Sequence, residues 1–455
     1  MSAKIFPLLL VNHTSVQVVL NRIEMPTTLN DLPSELLAHI FTETLPSDEY
    51  VYLSNKCVIS WRLLTLSSPE LWCSFQVKPP TYCNPHLIRV WLDHSNDRLL
   101  SFKIDYSAHS FSYADAAHLL RALRLASTRW ERVNLLLPGS NSLFRDAFVN
   151  ADMPHLRELS LYVVRGSEAD IMELNTFLFS NDAPLEKFTW GFSSSWGARD
   201  YLPGRLSGRT VVNAPWSRLT HLKLDTCVTV EEACTILSKC HALVECDIRR
   251  FSPPGYAHIS VVNLPAITLQ NLTSLSLYTI NLVTMRDPLT RFFSHLLCPN
   301  LRKVAFTCGF TNRFAWPQNR VHIVSPAVVI TGISESNLCQ CLEVMSSSLR
   351  HLALYDSGEN VCVSDELAGL IEGSLCPLLE NLVLHRAVRC SADGTLAKMI
   401  ELRQESLQKF RWCPVPGDDY GHVKDLRLLK KISGYGLEQT WEWERNLTRL
   451  QGRVI

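Results

Sequence analysis

The sequence lacks any excess of charge of one sign. Its 455 residues include 44 lysines and arginines and 44 aspartates and glutamates, so the formal net charge is zero. A surface that binds nucleic acid is normally basic, and an acidic tail would form a run of aspartate and glutamate. We therefore expect no nucleic-acid partner.

Long hydrophobic runs are missing as well. No stretch approaches the ~20 apolar residues that a membrane-spanning helix needs. Lys4 and the apolar residues 5–11 resemble a short signal-peptide core, but Pro7 interrupts them and no small-x-small cleavage site follows. We therefore expect neither a membrane span nor secretion.

The short motifs of common active sites are also missing. There is no G-x-x-x-x-G-K-[ST] phosphate loop, no H-E-x-x-H zinc motif and no G-x-S-x-G nucleophile elbow, and the 15 histidines are dispersed. We expect no catalytic residue, no cofactor and no enzymatic activity. An enzyme with an unrecognised site remains an alternative, and it would need a deep pocket with convergent polar groups.

Cysteine is plentiful, but its spacing does not predict a metal site. The 15 cysteines include no C-x-x-C pair, and the closest two are Cys339 and Cys341. One intervening residue fits opposite sides of a bend, or one face of a strand, better than a zinc site. We expect reduced thiols that pack as small apolar residues, which indicates an intracellular compartment.

Apolar residues are abundant, and from about residue 85 onward they follow one recurring pattern. Hydrophobic residues make up 46% of the chain, which is typical of a folded protein. The pattern is apolar, two residues, apolar, one residue, apolar, repeated about every 28 residues, which is the leucine-rich-repeat signature. Its eleven instances are 99–104, 130–135, 156–161, 185–190, 219–224, 243–248, 272–277, 301–306, 349–354, 379–384 and 407–412.

The pattern predicts a strand at the end of each unit, because its last three residues alternate between two faces. Segments with helical spacing lie between some strands, for example 231–243 and 288–297. The interval from Leu301 to Leu349 is 48 residues, so a degenerate unit is expected near 321–325. Stacked units of this kind form a curved array with a parallel sheet on the concave side.

The units are irregular. The asparagine that usually follows L-x-x-L-x-L is mostly absent, and residues 193–216 form a long segment rich in glycine, serine, arginine and tryptophan. We therefore expect variable loops between the strands.

A smaller helical region precedes the repeats, at about 30–75. Asp31 and Pro33 are typical of a helix start, and an apolar stripe follows them. A second helix is predicted from Asn55 to Leu66, and Ser67-Ser68-Pro69-Glu70 predicts the start of a third. Three short helices make a core too small to fold alone, so this region is expected to lean on a neighbour or a partner.

This helical region resembles the F-box, in the variant common to fungal F-box-like proteins. The residues that match are Leu32, Pro33, Glu35, Leu36, Leu37, Ile40, Phe41, Trp61, Arg62, Leu66, Pro69, Leu71 and Trp72. Residues 86–106 are similar to the helix and strand that follow the box in that family. Cys57 lies four residues before Trp61, where the family usually has three.

The resemblance implies a substrate receptor of an SCF-type cullin–RING ubiquitin ligase, located in the cytoplasm or nucleus. The box would dock on the Skp-family adaptor, and the repeats would bind an unknown protein substrate. No homo-oligomer is expected. By this resemblance, the adaptor-binding residues are Leu32, Pro33, Leu36, Leu37, Ile40, Phe41, Leu64 and Leu71. An alternative is a protein-binding scaffold that no longer binds the ligase, because the spacing at Cys57 departs from the family.

Trp61 and Trp72 have two interpretations. They are anchors for the adaptor, since tryptophan is enriched at binding hot spots, or they pack in the box core or on the first repeat, which we favour for such a small domain. Candidate substrate-binding residues are Trp190, Trp196, Trp216, His221 and Lys223. The tryptophans would be surface anchors if exposed and core if buried.

The expected fold class is α/β, a small three-helix F-box followed by an irregular leucine-rich-repeat solenoid with a curved parallel sheet. The expected domains are an N-terminal extension (1–29), the helical domain (30–77) and the repeat domain (78–455).

Overall fold

A computed structural model gives the fold of most of the repeat region. It describes residues 69–77, 85–106, 113–138, 141–164, 183–193, 214–251, 266–279, 292–308, 327–331, 335–355, 363–373, 375–385, 388, 393–403, 405–413, 424–425 and 427–428. The extension at 1–29 and most of the helical domain at 30–77 lie outside these ranges. The chain divides into two compact units, residues 1–197 with 210–215, and residues 198–209 with 216–455.

The first unit is a parallel sheet in which consecutive strands are neighbours. Its strands are β1 (Ser74–Val77), β2 (Leu100–Asp105), β3 (Trp130–Pro138), β4 (Glu158–Val164) and β5 (Lys187–Ser193). Its helices are α1 (Pro85–His94), α2 (Tyr113–Arg124) and α3 (Asn141–Phe148). A 3₁₀ turn, Pro69–Trp72, comes directly before β1.

The second unit has the same architecture. Its strands are β6 (His221–Val228), β7 (Glu245–Phe251), β8 (Ile267–Thr268), β9 (Ser274–Thr279), β10 (Leu296–Leu297), β11 (Lys303–Cys308), β12 (Ala327–Thr331), β13 (His351–Tyr355), β14 (Asn381–His385) and β15 (Lys409–Cys413). All except β8 and β10 form one parallel run in chain order, and β8 pairs with β10. Its helices are α4 (Val230–Leu237), α5 (Glu335–Met345), α6 (Asp365–Gly373) and α7 (Thr395–Leu402).

The strand prediction is confirmed, since every one of the eleven pattern matches contains a strand of a parallel sheet. The α/β class is confirmed with it. The long interval between β11 and β13 also holds a strand, but this strand is β12 at Ala327–Thr331, six residues beyond the expected position. The strand β1 was not expected, although Trp72, Phe75 and Val77 match the repeat pattern, with tryptophan in the leading position as at 130–135. Residues 74–77, the last of the range predicted to be helical, are therefore part of the sheet.

The leading apolar residue of the pattern closes a turn two residues before most strands. Leu243, for example, donates its N–H to the Cys240 carbonyl at 3.2 Å and is fully buried. The next carbonyl, that of Val244, then accepts the N–H groups of Thr273 and Ser274, which precede the following strand, at 2.8 and 3.1 Å. The same pair of hydrogen bonds recurs within each of the two units. It links the segments before neighbouring strands.

The core lies between the buried side of the strands and the helices. Strand positions alternate between buried and partly exposed, as in β13 and β14. In the first unit, Phe102 on β2 contacts Trp130 on β3, with ring centroids 5.3 Å apart. Trp130 in turn contacts Phe148 on α3 and donates its Nε1–H to the Leu123 carbonyl on α2. The helices therefore cover one side of the sheet.

The helix predictions are confirmed in part, since residues 292–295 of the predicted segment 288–297 are helical but Leu296–Leu297 form β10. The predicted segment 231–243 contains α4, which ends at Leu237 because a turn follows at 238–239. Its start is a capping box between Thr229 and Glu232, which satisfies two backbone N–H groups. Cys339 and Cys341 lie on α5, and not at a bend or on a strand. One intervening residue places them on different faces of the helix, so Cys341 is buried and Cys339 is partly exposed.

Candidate functional site

The side of each strand that faces away from the core forms an outward face lined with polar side chains. The alternate positions point there, and they are half-buried or exposed. In the first unit the outward residues include Lys103, Asn134, Glu158, Ser160, Tyr162, Lys187 and Thr189. In the second unit they include His221, Lys223, Asp225, Glu245, Asp247, Arg249, Ser274, Ser276, Tyr278, Lys303, Ala305, His351, Ala353, Tyr355, Asn381, Val383, His385, Lys409 and Arg411.

At β6 and β7 the charges of the outward face compensate one another. The Arg249 guanidinium lies 3.5 Å from the Asp225 carboxylate and 3.3 Å from that of Asp247. His221 Nε2 is 3.8 Å from Glu245 Oε2. His221 and Lys223, two of the predicted substrate-binding residues, lie in this region and are half-buried. Their role in binding stays a prediction.

From β11 to β15 the charges of the outward face have one sign. We call the outward side chains of β11, β13, β14 and β15 the basic face: Lys303, Ala305, His351, Ala353, Tyr355, Asn381, Val383, His385, Lys409 and Arg411. None of the five strands β11 to β15 contains an aspartate or glutamate. Glu380, in the turn before β14, is ion-paired with Arg350.

The basic face has an apolar centre. Ala353 and Val383 are register neighbours on β13 and β14, and both are partly exposed. On one side of them, Asn381 is hydrogen-bonded to His351. On the other, the Tyr355 and His385 rings contact each other with centroids 5.6 Å apart. Small apolar side chains thus lie between two polar pairs.

In the first unit, one close approach shapes the outward face. Tyr162 on β4 and Gly191 on β5 are register neighbours. The Tyr162 ring occupies the space where a β carbon of residue 191 would be, so only glycine fits there. A glycine inside a strand often marks such a close contact.

Two of the three candidate tryptophan anchors belong to the core, which corrects their proposed role in substrate binding. Trp190 is 1% exposed and Trp216 is 5% exposed. Trp190 occupies the last apolar position of its repeat match, beside the buried Phe188 and on the same side of β5. Period-two alternation could have identified it as buried. Trp196 lies outside the described residues.

Most of the predicted adaptor-binding residues also lie outside the described residues: Leu32, Pro33, Leu36, Leu37, Ile40, Phe41 and Leu64. Leu71 lies in the 3₁₀ turn before β1 and is half-buried. Its neighbour Trp72 packs on Trp91 of α1, with ring centroids 4.8 Å apart. Trp72 therefore packs on α1, and its role as an adaptor anchor stays a prediction. Trp61 lies outside the described ranges.

The described cysteines are suited to packing rather than to chemistry. Burial raises the pKa of the Cys240 and Cys298 thiols to about 12 and that of Cys376 to about 11. A thiol must lose its proton to act as a nucleophile or metal ligand, so these three are inert at neutral pH. Within the described ranges, no cluster of three histidine, cysteine, aspartate or glutamate side chains is placed to hold a metal ion.

No described helix is long and apolar enough to cross a lipid bilayer.

In the comparisons with known proteins, no family model matches the chain and no curated protein is significantly similar to it in sequence.

Proposed function

We propose that the chain is the substrate-recognition subunit of an SCF-type cullin–RING ubiquitin ligase. In this proposal residues 30–77 are an F-box that docks on the Skp-family adaptor. The following strands and helices are an irregular leucine-rich-repeat solenoid with a curved sheet, whose outward face binds the substrate protein. The partner subunits perform ubiquitin transfer, and the chain has no catalytic step of its own.

The observation that best supports protein binding is that the strands have one buried, apolar side and one partly exposed, polar side. Their buried side packs on the helices, as Trp130 does on α2 and α3. Their outward side bears partly exposed polar side chains in aligned rows, for example Lys303, His351 and Lys409. Repeat proteins bind their partners through such extended faces.

The junction before the sheet supports a box attached firmly to the repeats. Trp72 packs on Trp91, and Glu70 is ion-paired with Arg98 at 2.6 Å. Both contacts join the 3₁₀ turn at Pro69–Trp72 to α1 and the residues after it. Because the turn comes at the end of the box-like sequence, these contacts would attach the box to the first unit.

The apolar stripe of the first box helix supports adaptor docking. Leu36, Leu37, Ile40 and Phe41 follow the helix start that the sequence predicts at Asp31. A helical region too small to bury such a stripe by itself is suited to groove binding.

The second candidate function is a protein-binding scaffold without a ligase. The observation in its favour is the spacing at Cys57, four residues before Trp61. A shifted second helix would misplace the neighbouring contacts with the adaptor.

The experiment that separates the two is affinity purification of the tagged full chain from cells, followed by mass spectrometry for cullin and RING subunits. The ligase proposal expects both subunits with the wild type and neither with the variant Leu36→Asp/Ile40→Asp. The matched control is Leu125→Asp/Leu402→Asp, which places the same charges at exposed positions of the repeat region. Recovery of a folded wild-type chain without a cullin would favour the scaffold.

A further inference from the structure

We propose that one row of polar side chains on the outward face of the first unit binds an extended segment of a partner protein, with an aspartate or glutamate of that segment at Lys103. This inference rests on the proposed function only in so far as the segment belongs to the ligase substrate. We call the row the central row. Its members, in the order in which the register of β1 to β5 aligns them, are Gln76, Lys103, Asn134, Ser160 and Thr189.

The side chains of the central row are not paired with other parts of the described chain. None of the five forms a side-chain hydrogen bond or an ion pair within the described ranges. The outward row beside it differs, because Lys187 is ion-paired with Glu158 at 2.8 Å and Arg132 lies 3.9 Å from Glu131. The central row therefore keeps its hydrogen-bonding capacity for a ligand.

Gln76 gives the strongest indication that a polar ligand binds here. It lies on the outward side of β1, because it alternates with Phe75, whose ring stacks on Phe102 in the core. Gln76 is only 7% exposed, yet its amide has no hydrogen-bond partner among the described residues. A buried polar group is costly unless it is hydrogen-bonded. A polar group of a ligand beside Lys103 would satisfy this amide.

The chemistry of the central row matches a peptide backbone. The amides of Gln76 and Asn134 and the hydroxyls of Ser160 and Thr189 each both donate and accept hydrogen bonds. A peptide backbone presents N–H and C=O groups in alternation, so it can use both capacities. A nucleic acid fits less well, since it commonly needs about 6–10 phosphate contacts and the row holds one cation.

Lys103 determines the charge that the ligand should carry. It is partly exposed and forms no ion pair with Asp105, two residues further along β2. A carboxylate of the ligand would supply the complementary charge.

An apolar contact is available directly beside the central row. Leu136 and Tyr162 are register neighbours on β3 and β4, and both are partly exposed. The close contact with Gly191 limits where the Tyr162 ring can lie. An apolar side chain of the segment would pack on these two residues.

The dimensions suit a short extended segment. Neighbouring strands lie ~4.8 Å apart, so the four steps from β1 to β5 span ~19 Å. An extended peptide covers that distance with about six residues.

The test is selection from a displayed random peptide library on the immobilised full-length chain. The wild type is expected to enrich peptides with more aspartate and glutamate than the input library. Lys103→Glu should reverse this preference toward lysine and arginine and weaken the best wild-type peptide at least about tenfold. The matched control Lys239→Glu makes the same change at an exposed turn residue and should keep both the preference and the affinity.

A second pair of variants tests the hydroxyl groups. Ser160→Ala/Thr189→Ala should weaken the best wild-type peptide about tenfold, because two hydrogen bonds to its backbone are lost. The preference for acidic peptides should remain. Ser274→Ala/Ser276→Ala makes similar changes at partly exposed positions of β9 and should bind like the wild type.

Three results would overturn the proposal. The first is a wild type that enriches no peptides, or only neutral or basic ones. The second is acidic enrichment that survives Lys103→Glu. The third is tighter binding of a single-stranded RNA probe than of the best peptide, lost in Lys103→Glu, which would assign the row to nucleic acid. The selection needs no adaptor, so acidic enrichment without adaptor binding would retire the ligase role and leave this inference standing.

Discussion

The ring of Tyr162 on β4 lies directly against Gly191 on β5, where a β carbon would overlap the ring atoms Cδ1 and Cε1. The contact explains why a strand tolerates glycine at this position despite its conformational cost. It also fixes the orientation of a tyrosine on the outward face of the first unit.

Gly191→Ala should therefore destabilise the protein by about 1–3 kcal/mol, because the Tyr162 ring must move or the strands must separate. The free energy of unfolding from urea titration measures this. In a Tyr162→Ala background the same substitution should cost almost nothing, since the overlapping atoms are gone.

Gly369→Ala is the matched control. Gly369 lies inside α6, and an added β carbon there would meet no atom within 4 Å. The substitution should stabilise the protein by ~0.5–1 kcal/mol, since alanine favours the helix. Equal costs for the two glycine substitutions would contradict the close contact at Tyr162.

Arg403 should stabilise the C-terminal end of α6. Its guanidinium donates to the carbonyls of Ile371 at 2.8 Å, Leu375 at 2.7 Å and Cys376 at 3.1 Å. Arg403→Ala would remove these hydrogen bonds from partly buried carbonyls and should lower the free energy of unfolding by about 2–3 kcal/mol.

Lysine should restore only part of this loss, because an ammonium group lacks the planar arrangement of donors. Lys398→Ala serves as the comparison, since its ion pair with Glu372 involves a largely exposed ammonium and should contribute ~0.5 kcal/mol or less. If Arg403→Ala and Lys398→Ala lowered the free energy of unfolding by similar amounts, Arg403 would have no special role in capping α6.

The buried thiols should make the protein less stable in alkali. The pKa values of Cys240 and Cys298 are raised to about 12 in the fold, above the ordinary value of 9.0. The unfolded chain thus loses these protons first, so stability is fully present below about pH 9 and is lost as the pH rises toward 12. Urea titrations at about pH 8 and about pH 10 measure the change.

Cys240→Ala/Cys298→Ala should show a smaller loss over this pH interval than the wild type. Val304→Ala, also in the core, should lower the free energy of unfolding equally at both pH values. The loss of stability between the two pH values should therefore equal that of the wild type. If the double cysteine variant lost as much unfolding free energy between the two pH values as the wild type, the raised thiol pKa values would be contradicted.

The strands could be predicted from the sequence because the repeat pattern specifies both where a strand starts and which side is buried. The exceptions have physical reasons. The strand β12 follows no leading leucine, so its position was misjudged by six residues. The residues of β1 match the repeat pattern from Trp72 to Val77, but the resemblance of 30–77 to a helical domain took precedence over this match.

The candidate site was less predictable, because it depends on which strands are neighbours. The sequence identified His221 and Lys223 as outward-facing, and both are half-buried on that side. It did not single out Lys409 or Arg411, since a uniform charge becomes visible only when β11 to β15 are aligned. Trp190 and Trp216 are candidate anchors in the sequence because they lie near the long segment 193–216, and their burial places both in the core.

The most direct test of the central claim is the affinity of the purified full chain for a purified Skp-family adaptor, measured by isothermal titration calorimetry. We expect saturable binding by the wild type and a loss of several kcal/mol, about a hundredfold or more in affinity, for Leu36→Asp/Ile40→Asp, because burying an unpaired carboxylate in an apolar groove is costly. Leu125→Asp/Leu402→Asp should bind like the wild type. A folded wild-type chain that releases no heat and forms no complex with the adaptor would contradict the account and leave the chain as a protein-binding scaffold.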